Sequence, residues 1–145
     1  MPEMPKSRDT GTGKILELMI IPSLKSGGYE VQIQHHVGSR LGGGKHMIDV
    51  VAENVRKEKF LISLKWQQVS GTAEQKVPFE IICLADTILE NPDFYTKAYL
   101  VLGGEGWKLR DFFVKGGLAK HLVHSELVSV VTLESFVAKA NRGGL

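Results

Sequence analysis

The sequence predicts an α/β protein whose mixed central sheet is flanked by helices, and three observations carry that prediction. Residues 45–69 hold two runs, KHMIDVVAE and KFLISLKWQQV, rich in β-branched residues and alternating like the arms of a hairpin. A helical stripe follows, with Val77, Ile81, Leu84, Ala85, Ile88 and Leu89 on one side. KAYLVLGG is then a short unbroken apolar run, as expected of a strand covered on both faces.

The remaining elements follow from the same periodicities. Residues 1–11 are polar and proline-containing, which predicts a flexible N-terminal tail before a single domain over 12–145. KILELMIIPSLKSGG places Ile15, Leu16, Met19, Ile20 and Leu24 on one helical stripe. Pro22 is expected to kink or end that helix, and Gly27 with Gly28 to stop it. YEVQIQHHV alternates as a strand, and GSRLGGG reads as a flexible loop leading into the hairpin. The long helix should run from about Thr72 to Glu90. After KAYLVLGG, GWKLRDFFVKGGLAKHL predicts one or two short helices, LVSVVTL a last strand and ESFVAKANRGG a final helix. The order is helix, three strands, helix, strand, helix, strand, helix.

Composition excludes several classes of function. A formal net charge of +2 over 145 residues is no polycation, so any nucleic-acid contact must come from local patches. The single Cys83 excludes an intramolecular disulfide and a cysteine-built zinc cage; EIICLAD reads as a packed thiol in a helix. No apolar run approaches the ~20 residues that span a bilayer, and the N-terminus lacks the apolar stretch of a signal peptide. A cytoplasmic location is the expectation.

The hairpin concentrates the chemistry. If it closes around Arg56, Asp49 lies opposite Ser63 and Met47 opposite Lys65. Ser63, Lys65 and Gln67 then share one face, and Ile62, Leu64 and Trp66 the other. A carboxylate among Ile48, Val50 and Val51 needs a cation or a donor, because burying it alone is expensive. Two readings meet that need: a plain ion pair with Lys65, or a metal-ligating Asp49 beside a lysine that contacts phosphate.

These residues resemble the PD-(D/E)xK nuclease superfamily, whose shared core of helix, three strands, helix and strand is similar to the order over residues 12 to 103. Asp49 matches the family's first acid, and Ser63-Leu64-Lys65 its (acid)-x-lysine motif. Ile48 stands where a proline often precedes the acid, and Ser63 stands where Asp or Glu is usual. The resemblance implies a restriction-endonuclease-like α/β core and a magnesium site, with manganese as a substitute. KWQQVSGTAEQKVPFE looks particularly like small phage or bacterial endonucleases of this superfamily.

Two glutamates compete to replace the missing acid. Some relatives carry Ser-x-Lys on the strand and move the acid to the following helix, which points to Glu80 on the core-facing side with Val77 and Leu84. Lys76 could instead pair with Glu80 at the i, i+4 spacing. Relatives also place a glutamate on the first helix, which points to Glu17, for which a solvated surface position is the plain alternative. Lys-x-Gln recurs in the superfamily, giving Gln67 a role in orienting water or substrate. Glu74-Gln75-Lys76 also spells Glu-x-Lys, but at a first helical turn it suits the helix dipole, with Thr72 nearby as a cap.

Around the glycine-rich loop, His35, His36, Arg40, Lys45 and His46 form a cluster of donors suited to phosphate, and Lys76 adds a further charge. Strand-end polarity is the plain alternative for the two histidines. GSRLGGGK is no nucleotide loop: Ser39 stands where glycine is needed, and His46 follows the lysine where Ser or Thr is required. GGEGW is a turn, and Trp66 and Trp107 read as packing residues.

The expected activity is therefore magnesium-dependent hydrolysis of DNA phosphodiester bonds, of restriction, homing or junction-resolving type. Carboxylates hold a hard cation that acidifies water and clamps a non-bridging oxygen, and lysine adds positive charge in a dry site. Cutting both strands favours a homodimer or a cleavage subunit of a larger assembly. Two other classes stay open: a catalytically silent nucleic-acid-binding module of the same fold, and a structural partner-binding domain.

Overall fold

The computed structural model describes residues 9–145, arranged as a five-stranded sheet with helices on both faces. Its strands are β1 (Glu30–Ser39), β2 (Lys45–Glu53), β3 (Lys59–Trp66), β4 (Lys97–Gly103) and β5 (Val128–Thr132), lying in that order across the sheet. β1, β2 and β3 are antiparallel neighbours, whereas β3, β4 and β5 run parallel. Short turns suffice for the antiparallel pairs. Parallel neighbours need crossovers, supplied by α3 (Ala73–Glu90) and by the segment containing α4 (Arg110–Val114).

The β2–β3 hairpin closes about Arg56, pairing Glu53 with Lys59 and Val50 with Ile62. Asn54 builds the turn: its side-chain oxygen accepts the Arg56 and Glu58 amides at 2.9 and 3.0 Å, with Lys57 in the left-handed region.

The N-terminal helix begins inside the segment expected to be a tail. α1 (Asp9–Ile15) runs into a π turn (Leu16–Ile20) and then α2 (Ile21–Ser26); residues 1–8 of the expected tail lie outside the described residues. Pro22 neither ends nor breaks this path. The Ile21 amide reaches back to the Leu16 carbonyl in a widened turn, and Pro22, having no N–H to place, opens α2.

Two apolar layers sandwich the sheet. On one side Val77, Ile81, Leu84 and Ile88 of α3 pack on Leu61, Leu100 and Leu102. On the other, Leu16, Ile20 and Leu24 join Phe136 and Ala140 of α5 (Leu133–Asn141) over Phe60, Ile62, Tyr99 and Val101. Each such side chain contributes about 1.5–3 kcal/mol on burial. β4 lies between both layers, which explains its unbroken apolar run.

The ends of β3 and β4 cross closely. A Cβ at Gly106 would sit 2.5 Å from the Val69 carbonyl, and one at Gly104, where φ is +91°, 2.3 Å from that of Gln67. GGEGW is thus a turn that needs bare backbone. Thr72 makes no side-chain cap on α3; Glu74 instead accepts the Leu109 amide at 2.8 Å, tying the loop after β4 to the helix.

Candidate active site

The site begins where β2 leaves β3. Their ladder stops at Val50 and Ile62, while β3 continues along β4 as far as Trp66 and Gly103. Beyond the break, Asp49 Oδ2 accepts the Leu64 amide at 2.7 Å, replacing a ladder carbonyl with a carboxylate. Side-chain alternation slips at the same residue. Val51 packs in the α3 layer, Val50 and Ala52 in the opposite one, and Ile48 in the α3 layer again. On β1 the position between the pairs Ile33–Val50 and His35–Ile48 is Gln34, with φ +52°. Strict alternation would have put Ile48 and Val50 on the same side.

From above, α3 supplies Glu80, which is 4% exposed. Ser63 donates its hydroxyl to Glu80 Oε2 at 3.0 Å. Arg40, from the turn between β1 and β2, donates to Glu80 Oε1 at 2.9 Å, and Lys65 Nζ lies 3.9 Å from the same oxygen. Burial works against the Glu80 charge, but Lys65, Arg40 and the Ser63 bond outweigh it and hold the carboxyl below its usual range. Asp49 goes the other way. Its burial raises the carboxyl above the ordinary value, the nearby Glu80 charge adds to this, and the Leu64 amide and Lys65 only partly oppose it.

His46 is the residue that its place beside the glycine-rich loop misplaced. Expected among exposed donors, it is fully buried against α3, its Nδ1 3.0 Å from Thr87 Oγ1. The Thr87 hydroxyl also lies 3.1 Å from the Cys83 carbonyl, and when it donates there its oxygen accepts from His46 Nδ1. Nε2 is buried and has no hydrogen-bond partner among the described residues. Burial pushes this imidazole below its ordinary pKa, Arg40 and Lys65 push the same way, and Glu80 and Asp86 resist. The signal in sequence was faint: His46 and Ile48 form the alternate series that faces inward.

Other expected site residues separate into distinct places. Gln67 does not present its amide to a reaction: it is buried, Nε2 donating to the Gly106 carbonyl at 2.8 Å and Oε1 accepting the Ala73 amide at 3.0 Å. It clamps the start of α3 to the loop after β4. Lys76 is exposed and does not pair with Glu80, which turns inward to partners on the sheet. His35 and His36 pair with Ile48 and Met47, and as successive strand residues they point to opposite faces. They cannot act as one cluster. Lys45 is exposed at the start of β2. Glu17 is exposed on the π turn, whose Leu16 and Ile20 pack on the sheet face opposite α3.

Among the described residues no three His, Cys, Asp or Glu side chains converge as ligands of one ion, so the three-carboxylate set Asp49, Glu80 and Glu17 is not assembled. The pair Asp49 and Glu80 fits a hard divalent ion completed by water. Asp49 has one oxygen held by Leu64 and no other protein hydrogen bond among the described residues, whereas an ion at Glu80 would have to share that carboxylate with Arg40 and Lys65.

Comparison with known proteins bears on this arrangement. The family model of the PD-(D/E)XK nuclease superfamily domain matches residues 8–144. Among solved structures, a protein of unknown function has a TM-score of 0.48 and 15% identity, over 78% of this chain and 54% of that one. A repair endonuclease from Pyrococcus abyssi has a TM-score of 0.43 and 14% identity, over 91% of this chain and 48% of that one. The chain thus spans about half the length of either structure. No curated protein matches it in sequence. No helix among the described residues is long and apolar enough to cross a membrane.

Proposed function

Because the chain belongs to the PD-(D/E)XK nuclease superfamily, we propose that it is a divalent-metal-dependent endonuclease hydrolysing DNA phosphodiester bonds. Members of the superfamily generally use divalent metal ions. The observation that carries the reading is the gathering of Asp49, Glu80 and Lys65 where β2 parts from β3. A bound ion, magnesium in this reading, acidifies a water and offsets charge on a non-bridging phosphate oxygen.

The chain's own residues do the rest. The Leu64 amide fixes one oxygen of Asp49 and leaves the other without a protein hydrogen bond among the described residues, so it would be available to hold an ion. Ser63 orients Glu80, so a helix carboxylate takes the role that an acid on β3 would fill. Lys65 is about one-third exposed, so its ammonium is within reach of both Glu80 and an incoming phosphate, where it supports charge developing on the scissile group. Two copies, or one copy in a larger assembly, would cut both strands.

The test is cleavage of plasmid, branched DNA and RNA, each with magnesium and with chelator, by the wild type, Asp49→Asn and Lys65→Ala. Chelator-sensitive cleavage abolished in both variants supports the reading; its absence on every substrate removes it. A second reading, a silent nucleic-acid-binding module, has one observation in its favour: Arg40, Lys65 and Ser63 already satisfy Glu80 without an ion. DNA binding that persists without any cleavage would select it.

A further inference from the structure

Arg40 stands in an unusual position for a residue on a glycine-rich tip. The turn Arg40–Gly44 is closed on itself, with Arg40 N donating to the Gly44 carbonyl at 2.6 Å and Gly43 N to that of Arg40 at 2.9 Å. The β1–β2 register shifts between His36 and Ser39, and Gly38, Gly42 and Gly43 all have positive φ. Below the tip, His46 is locked to Thr87. A cleft of about 560 Å³ separates the tip from α3, lined by Gly38, Arg40 and Gly42 on one side and Asp86, Glu90 and Asn91 on the other. The cleft leaves part of the tip unsupported by the helix. The Arg40 side chain crosses to the helix, bonded to Glu80 and lying 5.6 Å over the Phe79 ring.

The Glu80 carboxylate has two cationic neighbours, and Arg40 takes the oxygen nearest Lys65. A divalent ion brought to the same carboxylate would meet a guanidinium already in direct contact with it, and like charges repel strongly where water is scarce. That repulsion favours release of one of the two. The two side chains are similarly exposed, but Lys65 is held on a sheet strand, whereas Arg40 sits on the turn among Gly38, Gly42, Gly43 and Gly44.

We propose that Arg40 is a placeholder for the divalent ion at Glu80, released when the ion binds and transferred to a backbone phosphate of the nucleic acid. The proposal rests on the metal-nuclease reading and adds its order of events. The guanidinium keeps the empty carboxylate neutralised, the incoming ion displaces it, and its planar fork suits a phosphate. Ion and nucleic acid then favour one another, because each draws Arg40 from the other's position, and by linkage the effect is reciprocal.

The test is calorimetric titration of the full chain with calcium, which binds oxygen ligands and allows the duplex to be added without relying on turnover. Arg40→Gln should bind calcium roughly tenfold more tightly than wild type. Arg40→Lys, which keeps the charge, should stay near wild type. With a duplex oligonucleotide present, calcium affinity should rise in wild type and change little in Arg40→Gln. Equal or weaker calcium binding by a folded Arg40→Gln overturns the placeholder while leaving the metal reading intact. No calcium uptake by any of the three proteins overturns both. Melting curves of each variant establish that the fold is kept, and a calcium-induced rise in Tm larger in Arg40→Gln provides a second readout should its calorimetric signal be weak.

Discussion

Ser63 Oγ and Glu80 Oε2 lie 3.0 Å apart, the hydroxyl on strand β3 donating to a carboxylate carried down from helix α3. In the proposed site, the helix carboxylate takes the role that an acid on β3 would fill. A serine on the strand leaves room for the longer glutamate to reach down, and its proton fixes which oxygen does so.

Removing the charge of Asp49 should separate activity from stability. Asp49→Asn is expected to reduce cleavage by about 10³-fold or more, as loss of a transition-state electrostatic element does. Its Tm should be unchanged or higher, because burial already disfavours the Asp49 charge and an asparagine oxygen can still accept the Leu64 amide. Lys65→Ala should lower cleavage by about 10²–10³-fold with DNA binding largely kept. Single-turnover cleavage beside thermal melting checks both, and a strongly destabilised Asp49→Asn would contradict the account of its burial.

His46 makes the stability depend on pH with a definite sign. Its folded pKa lies below the ordinary 6.5, so the folded chain binds fewer protons than the unfolded one in that window. Its contribution is full above about 6.5 and is lost as pH falls towards the folded value. Tm measured from about pH 7 down to about pH 5 should fall less steeply in His46→Asn than in wild type. Parallel slopes would remove His46 as the cause.

Gln67 is expected to behave as a structural clamp. Gln67→Ala leaves the buried Gly106 carbonyl and the Ala73 amide without their partner and should lower stability by about 1–3 kcal/mol. Denaturant unfolding measures this. If the variant instead keeps its stability and loses kcat alone, the amide has a role in the reaction after all.

Gly106 tests the crossing of the two loops. Gly106→Ala puts a methyl group 2.5 Å from Val69 backbone, which must shift, at a cost of about 1–3 kcal/mol. The damage should appear as a lowered Tm together with weaker metal binding, since the loop after β3 connects Lys65 to the helix that carries Glu80. An unchanged Tm would mean the loops move apart freely.

The turn about Arg56 and the element order were legible in the chain itself, whereas the expected pairs Asp49–Ser63 and Met47–Lys65 fall beyond the end of the ladder at Val50–Ile62. The legible features depend on near neighbours: a turn about Arg56, period-two alternation, and a helical stripe whose inward side includes Glu80. These are local rules, and a one-residue slip would have turned Leu61 and Ile62 to the wrong layers. Tertiary structure alone decided which cation meets Glu80, since Arg40 and Lys76 were equally available by composition and only the folded hairpin brings Arg40 within 2.9 Å. It also decided that His46 is interior and that Gln67 bonds backbone, because both choices depend on where α3 lies against the sheet. Periodicity assigns a side chain to a face. What it finds there depends on a second segment, brought from far along the chain by the burial of apolar surface that has no bearing on the polar partners themselves.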